Sequence, residues 1–323
     1  LFLAQSLYSA GFIASATINS ILGAELGGKP WAGVPTAVLL LGSALSASVW
    51  GMLMDRIGRR NGIALGLLIG IAGAGLVILA ANQSLLAIML VGMVLVGFAQ
   101  SAVLLGRFAA AEVNPPEKRG AAISNVVLGG TVGAIFGPLL VGPMGTFALR
   151  IGLDELSGPY IAGLTLFGLA SIIIFIGLRP DPRDVGVQVA TLYPDAAPDG
   201  EARPIGVIFR QPAALTAVTA MVLGQAVMVA IMVITALHMK GHDHGLGSIS
   251  AVISAHTLGM YAFSVISGRL ADKWGRGPVI LTGAATLVLA CIAVPLSPDV
   301  LPLAVSLFLL GLGWNFCFVG GST

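Results

Sequence analysis

Residues 51–60 read GMLMDRIGRR, and residues 268–277 read GRLADKWGRG. Each sets an acid and several bases between long apolar runs, in a chain of which only 9% is charged. The flanking runs decide what such a chain can be. No Asp, Glu, Lys or Arg occurs within 1–24, 30–54, 61–106, 120–149, 156–178, 211–239, 244–268, 277–298 or 300–323. With 57% hydrophobic residues and a mean hydropathy of +0.98, the chain has too little charge to cover a water-facing surface. A soluble domain carries roughly a quarter of its residues as charges, so most of this surface must face lipid. A spanning helix needs about 20 apolar residues, and ten fit: near 1–24, 32–54, 62–81, 84–112, 120–143, 158–178, 212–238, 248–268, 278–296 and 300–323. The 61–106 run holds two passes, turning at Ala81-Asn82-Gln83-Ser84. Internal Gly and Pro are no objection, because membrane helices tolerate both and use Gly for close packing.

Alternating the ten spans sorts the basic residues. Of the 16, thirteen fall on one side: Arg56, Arg59, Arg60, Arg107, Lys118, Arg119, Arg179, Arg183, Arg203, Arg210, Arg269, Lys273 and Arg276. Lys29, Arg150 and Lys240 fall on the other. The positive-inside rule makes the first side cytoplasmic. The expected organisation is a six-helix bundle over 1–178, a polar, Pro-rich cytoplasmic loop over 179–211, and a second bundle over 212–323 with four helices. Orientation accounts for the net charge of +2, so nothing points to nucleic acid. The chain opens at Leu1, already apolar, and is expected to begin inside its first helix. Cys291 and Cys317 lie in apolar spans without CxxC spacing and read as small packing residues.

Both charged stretches follow the second helix of a half. Their acids, Asp55 and Asp272, are 217 positions apart (272 − 55), so the chain reads as two similar halves. A carboxylate at a helix C-terminus faces the negative end of the dipole, which costs up to about 1 kcal/mol. Arg59 or Arg276 one turn on, or the N-terminus of a neighbouring helix, would offset it. Gly58 and Gly275 suit the positive-φ residue that ends a helix and lets the chain turn sharply. Gly51 and Gly268 are expected to let another helix approach closely.

On these residues the sequence resembles the major facilitator superfamily of secondary transporters. Gly51, Leu53, Asp55, Arg56, Gly58, Arg59 and Arg60 match its loop signature. Gly268, Leu270, Asp272, Lys273, Gly275 and Arg276 match it again, departing at Gly277. Glu112, Pro115, Arg119 and Gly120 fit the E-x-x-P-x-x-x-R-G seen in many members. The resemblance implies two pseudo-symmetric six-helix bundles, an all-α membrane fold of twelve helices of which ten would be present. It also implies a charge network in which Glu112 pairs with Arg59 as a gate, half of each charge lock being absent. Gly133, Gly137, Pro138 and Gly142 resemble the glycine signature of family exporters, with the closing pair one residue late. Met93 stands where many drug/proton antiporters of the family carry an Arg, which weakens an antiport reading.

In that family, sites lie near the membrane midplane between the halves. Candidate cavity residues by that likeness are Gln5, Tyr8, Thr17, Asn19, Gln100, Arg107, Gln225, Trp314 and Asn315. Gln100 and Arg107, seven residues apart, share a helix face. An Arg inside a span costs about 2.5–3.5 kcal/mol; Arg107 either snorkels, pairs with Glu112, or draws anions to a cavity wall. His256 is the buried group suited to titrate near neutral pH, either packing against a neighbouring helix or carrying a proton. In HMKGHDHG, His238, His242, Asp243 and His244 are metal-ligand types, but Gly241 and Gly245 favour a solvated turn, so no metal is expected. No cofactor is expected either: the chain has no phosphate cradle, no nucleophile–base set and no buried carboxylate pair, which argues against an enzyme. The leading expectation is a monomer in the cytoplasmic membrane that moves a small solute by alternating access, with proton-coupled export of drug-like or metabolite molecules ahead. The alternatives are an uptake symporter for a sugar or organic acid, and a non-transporting sensor or scaffold.

Overall fold

The computed structural model describes residues 1–193 and 205–322; Arg203, counted above toward orientation, lies outside them. The described chain is helical throughout: α1 (Phe2–Thr17), α2 (Asn19–Gly27), α3 (Val34–Ile57), α4 (Arg59–Gln83), α5 (Leu86–Glu112), α6 (Arg119–Phe136), α7 (Val141–Arg150), α8 (Gly158–Gly177), α9 (Pro182–Leu192), α10 (Ile205–Ile208), α11 (Pro212–Gly241), α12 (Leu246–Tyr261), α13 (Ser264–Trp274), α14 (Arg276–Ala293) and α15 (Val300–Ser322). Ten stretches of it are long and apolar enough to cross a membrane, from Phe2–Gly27 to Val300–Ser322. Several spans are built from two helices joined at a break: α1 with α2, α6 with α7, and α12 with α13. The fold is an all-α, multi-pass membrane protein. On α3, Leu41, Leu45, Val49 and Met52 form an outward stripe exposed by 61, 73, 48 and 64%, an apolar face that needs lipid to cover it.

The chain divides into two compact units, 1–198 and 199–323. In the first, α4 packs along α5 and α8, α5 along α3, and α1 along α6 and α8. Tyr8, Trp50, Met54, Leu67 and Phe167 fill its core. Tyr8 lies between Phe12 and Phe167, with ring centroids at 5.6 and 5.1 Å. The first span breaks at Ile18, where Asn19 accepts a hydrogen bond from the Tyr160 hydroxyl. The turn expected at 81–84 is made by Ser84, at φ 55° and ψ 43°. Across it, Asn82 donates to Ser157 Oγ (2.9 Å) and accepts from the Asp154 amide (2.9 Å).

In the second unit α15 is central, packed on α11, α12 and α14. Asn315 binds across the α12–α13 break: Nδ2 donates to Met260 O (2.7 Å) and Ser264 Oγ (2.9 Å), and Oδ1 accepts from Ser267 Oγ. One buried amide thus satisfies carbonyl and hydroxyl groups that an interrupted helix leaves over.

One expectation is corrected. Part of the linker is ordered structure rather than loop: Pro182–Leu192 is a helix, packed on α5 and α4 of the first unit, and Ile205–Ile208 adds one short turn. The cause is an N-terminal signal: Asp181 caps with its side chain and Pro182 occupies the first helical position. At Gly51 and Gly268 a Cβ would meet nothing within 4 Å among the described residues.

Candidate functional site

The first charged stretch is a helix–glycine–helix corner. Gly58 ends α3, its amide bonded to Met54 O at 3.1 Å, and α4 begins at the next residue. Its φ of 88° and ψ of 160° lie where only glycine is comfortable. Gly275 takes the same angles, φ 88° and ψ 160°, between α13 and α14, its amide bonded to Ala271 O at 3.0 Å.

Around the first corner the charges close on each other. Arg59 meets Glu112 with two parallel bonds, Nε to Oε2 at 3.0 Å and Nη2 to Oε1 at 2.7 Å. The same Nη2 is 3.0 Å from Asp55 Oδ1. Fork-on-fork geometry of this kind fixes direction as well as energy. It ties the end of α5 to the α3–α4 corner, with the Arg59 side chain 19% exposed and Asp55 67% exposed. Arg60 lies over the Phe175 ring at 5.4 Å, and Arg56 offers its carbonyl to Arg183 Nη1 at 3.2 Å. Arg119 is half-buried, its Nε without a partner among the described residues.

Sequence reasoning missed the residue beneath this corner. Asp181 accepts from the amides of Arg59 (Oδ1, 3.0 Å) and Arg60 (Oδ2, 3.0 Å), and from its own Arg183 amide at 3.0 Å. One carboxylate therefore caps two helix N-termini, α4 and α9. The Asp-Pro pair at 181–182 carries the signal for the nearer cap; nothing local signals the farther one.

At the second corner Asp272, Lys273, Gly275 and Arg276 are exposed, and among the described residues none of the three charged side chains forms an ion pair. Among the described residues the charge network is thus present at one corner only.

The exporter-like glycines line a seam. A Cβ at Gly133 would strike Ser6 O, and one at Gly137 would sit 2.7 Å from Ala10 O, so α6 touches the α1 backbone directly. The helix breaks at Gly137-Pro138, and Gly142 is half-buried in the first turn of α7.

The candidate cavity residues separate into two groups. Asn19, Asn315 and Gln5 spend their hydrogen bonds on packing: Asn19 and Asn315 as above, Gln5 by donating to Ser9 Oγ at 3.2 Å. Thr17 likewise bonds its own helix at Ile13 O. Tyr8 is 3% exposed, its hydroxyl unpartnered among the described residues. Gln100 and Arg107 sit on an α5 face shared with Leu104 and Phe108, which are 43 and 47% exposed. Gln100 Oε1 and Arg107 Nε are both buried without partners among the described residues. Arg107 does not pair with Glu112, which Arg59 occupies; its guanidinium lies 5.0 Å over the Phe108 ring. In the second unit Trp314 donates to Gln225 Oε1 (2.8 Å), stacks on Phe318 at 4.8 Å and meets Tyr261 edge-on at 6.3 Å. His256 is 2% exposed; its Nδ1 donates to Leu307 O at 3.0 Å, while Nε2 has no partner among the described residues. His242 Nδ1 and His244 Nε2 each bond a backbone carbonyl at 2.9 Å, on His238 and Pro298.

A profile of the Major Facilitator Superfamily matches residues 1–323. The chain belongs to this family. It is 35% identical to the "Uncharacterized MFS-type transporter YdeG" of Bacillus subtilis (strain 168), over 99% of this chain and 75% of that protein. It is 29% identical to the "Riboflavin transporter RfnT" of Brucella anthropi, over 95% of this chain and 74% of that protein. The fold matches a bacterial homolog of the human lysosomal transporter Spinster, TM-score 0.69 at 18% identity, over 99% of this chain and 73% of that one. It also matches the xylose transporter XylE from E. coli, TM-score 0.67 at 16% identity, over 98% and 78%. The protein is a membrane transporter of this superfamily.

Proposed function

We propose that the transporter exports a small amphipathic solute, metabolite or drug-like, across the cytoplasmic membrane in exchange for protons, with both charged corners on the cytoplasmic side. The observation that carries the solute class is the α5 face: one cation, Arg107, without an ion pair among the described residues, beside an unused amide acceptor and two exposed apolar side chains. Such a face suits a largely apolar molecule with one acidic or acceptor group and one donor. The aromatic cluster of Trp314, Phe318 and Tyr261, with Gln225, supplies a stacking surface in the second unit. Export is favoured by the α6 glycine seam, which resembles that of family exporters. The Arg59–Glu112 pair acts as a gate that holds one conformation. His256 is the proton carrier in this reading, since no Asp, Glu, Lys or Arg lies within 244–268 and its Nε2 is unoccupied. The protein works as a monomer with two rocking halves.

A second reading, uptake of a sugar or organic acid, is favoured by Arg107 and by the E-x-x-P-x-x-x-R-G pattern at Glu112, Pro115, Arg119 and Gly120. The riboflavin transporter among the relatives adds a flavin, a planar solute with donors and acceptors, as a solute to try. Proteoliposomes loaded or bathed with riboflavin, an acidic fluorescent drug or xylose, under an imposed pH gradient, separate the two. Drug efflux against the proton flow supports export, and uptake of riboflavin or xylose with protons replaces it. Arg107→Ala is expected to lower transport of the acidic probe at least tenfold; unchanged transport removes Arg107 from the site. His256→Gln is expected to abolish the response to the pH gradient, and a normal response eliminates it as carrier.

A further inference from the structure

We propose that Asp181 is a positioning residue of the gate: it caps α4 in trans, and through that cap it aims Arg59 at Glu112. The need arises from the corner itself. A helix of 25 residues begins at Arg59 with amides that have no intrahelical acceptor. The residue in the N-cap position is Gly58, which the backbone angles require and which has no side chain to accept. Asp181 fills that gap from 121 residues away, one oxygen to the Arg59 amide and the other to the Arg60 amide, each at 3.0 Å. Its negative charge sits at the positive end of the α4 dipole, where a carboxylate is favoured. The fit is close: a Cβ at Gly58 would run into the carboxylate. Arg183, two residues on, donates to Arg56 O at 3.2 Å, so the same strap grips α3. A Cβ at Gly186 would lie 3.2 Å from Glu112 Cβ, so α9 also runs against the gate's acid. Segment 179–192 is thereby a strap joining both gate partners, whatever solute is carried.

The test is amide hydrogen exchange, at residue level, of Arg59 and Arg60 in the full chain purified in detergent, with thermal unfolding alongside. Asp181→Ala is expected to speed exchange of both amides about tenfold or more, the scale of a lost N-cap, while amides in the middle of α4 stay slow. Asp181→Asn keeps one acceptor oxygen beside an NH2 that cannot accept, so it should restore protection at one of the two amides and leave the other fast. Glu112→Gln, which removes the ion pair and not the cap, should leave both amides slow. Equal exchange in Asp181→Ala and the parent, or the same acceleration in Glu112→Gln, overturns the cap. For the positioning role, Asp181→Ala and Glu112→Gln together should lower the unfolding midpoint by less than their separate drops combined. Additive drops overturn it.

Discussion

The two charged corners share a backbone and differ in everything around it. Gly58 and Gly275 hold the same φ and ψ, each bonded back to the residue four before, each followed at once by a new helix. Yet Arg59 is clasped by Glu112, with Asp55 beside it and Asp181 beneath, whereas Asp272, Lys273 and Arg276 stand exposed. Local sequence therefore writes the turn, and distant residues write the lock. A conformation only glycine accepts is set within ten residues; the ion pair needs a partner 53 positions away, and the cap beneath it one 122 positions away.

Substituting the glycines sharpens this contrast most. Gly275→Ala meets open space, with Pro278 Cδ at 4.0 Å, so it suffers backbone strain alone, about 1–3 kcal/mol. Gly58→Ala suffers that strain and also displaces Asp181, adding about 1 kcal/mol or more. Thermal unfolding in detergent is expected to rank Gly58→Ala as the more damaging; equal losses would mean the carboxylate contributes nothing. Next in size, Asn315→Ala should cost roughly 2 kcal/mol by stranding groups of the α12–α13 break, locating the second unit's order in its interior. Glu112→Gln follows at about 1 kcal/mol, because its pair is partly solvated. Asp272→Asn should change stability by less than about 0.5 kcal/mol. An Asp272 loss as large as that of Glu112 would reveal a second lock and dissolve the comparison.

Much of this was legible from the sequence, and for physical reasons. The ten spans follow from uncharged run lengths, because lipid demands continuous apolar helices. The repeated corner follows from Gly, Asp and Arg at fixed offsets. What escaped is non-local or mixed in signal. The 179–211 stretch looked like a loop because Pro and charges dominate it, although Asp181-Pro182 is itself a helix start. Asn19 and Asn315 invite a cavity reading because they are polar groups inside spans; their hydrogen bonds go to Tyr160 on α8 and across the α12–α13 break, partners that no local pattern announces. Arg107 was open between pairing and freedom, and the contest was decided elsewhere, when Arg59 took Glu112.

The central claim is that both corners face the cytoplasmic side of the membrane in a duplicated transporter. In a Cys291→Ser, Cys317→Ser background, single Asp55→Cys and Asp272→Cys variants would be labelled with an impermeant thiol reagent in right-side-out and inside-out vesicles. The account predicts that both react in inside-out vesicles only. Labelling of one from each face would contradict the duplication and the orientation together.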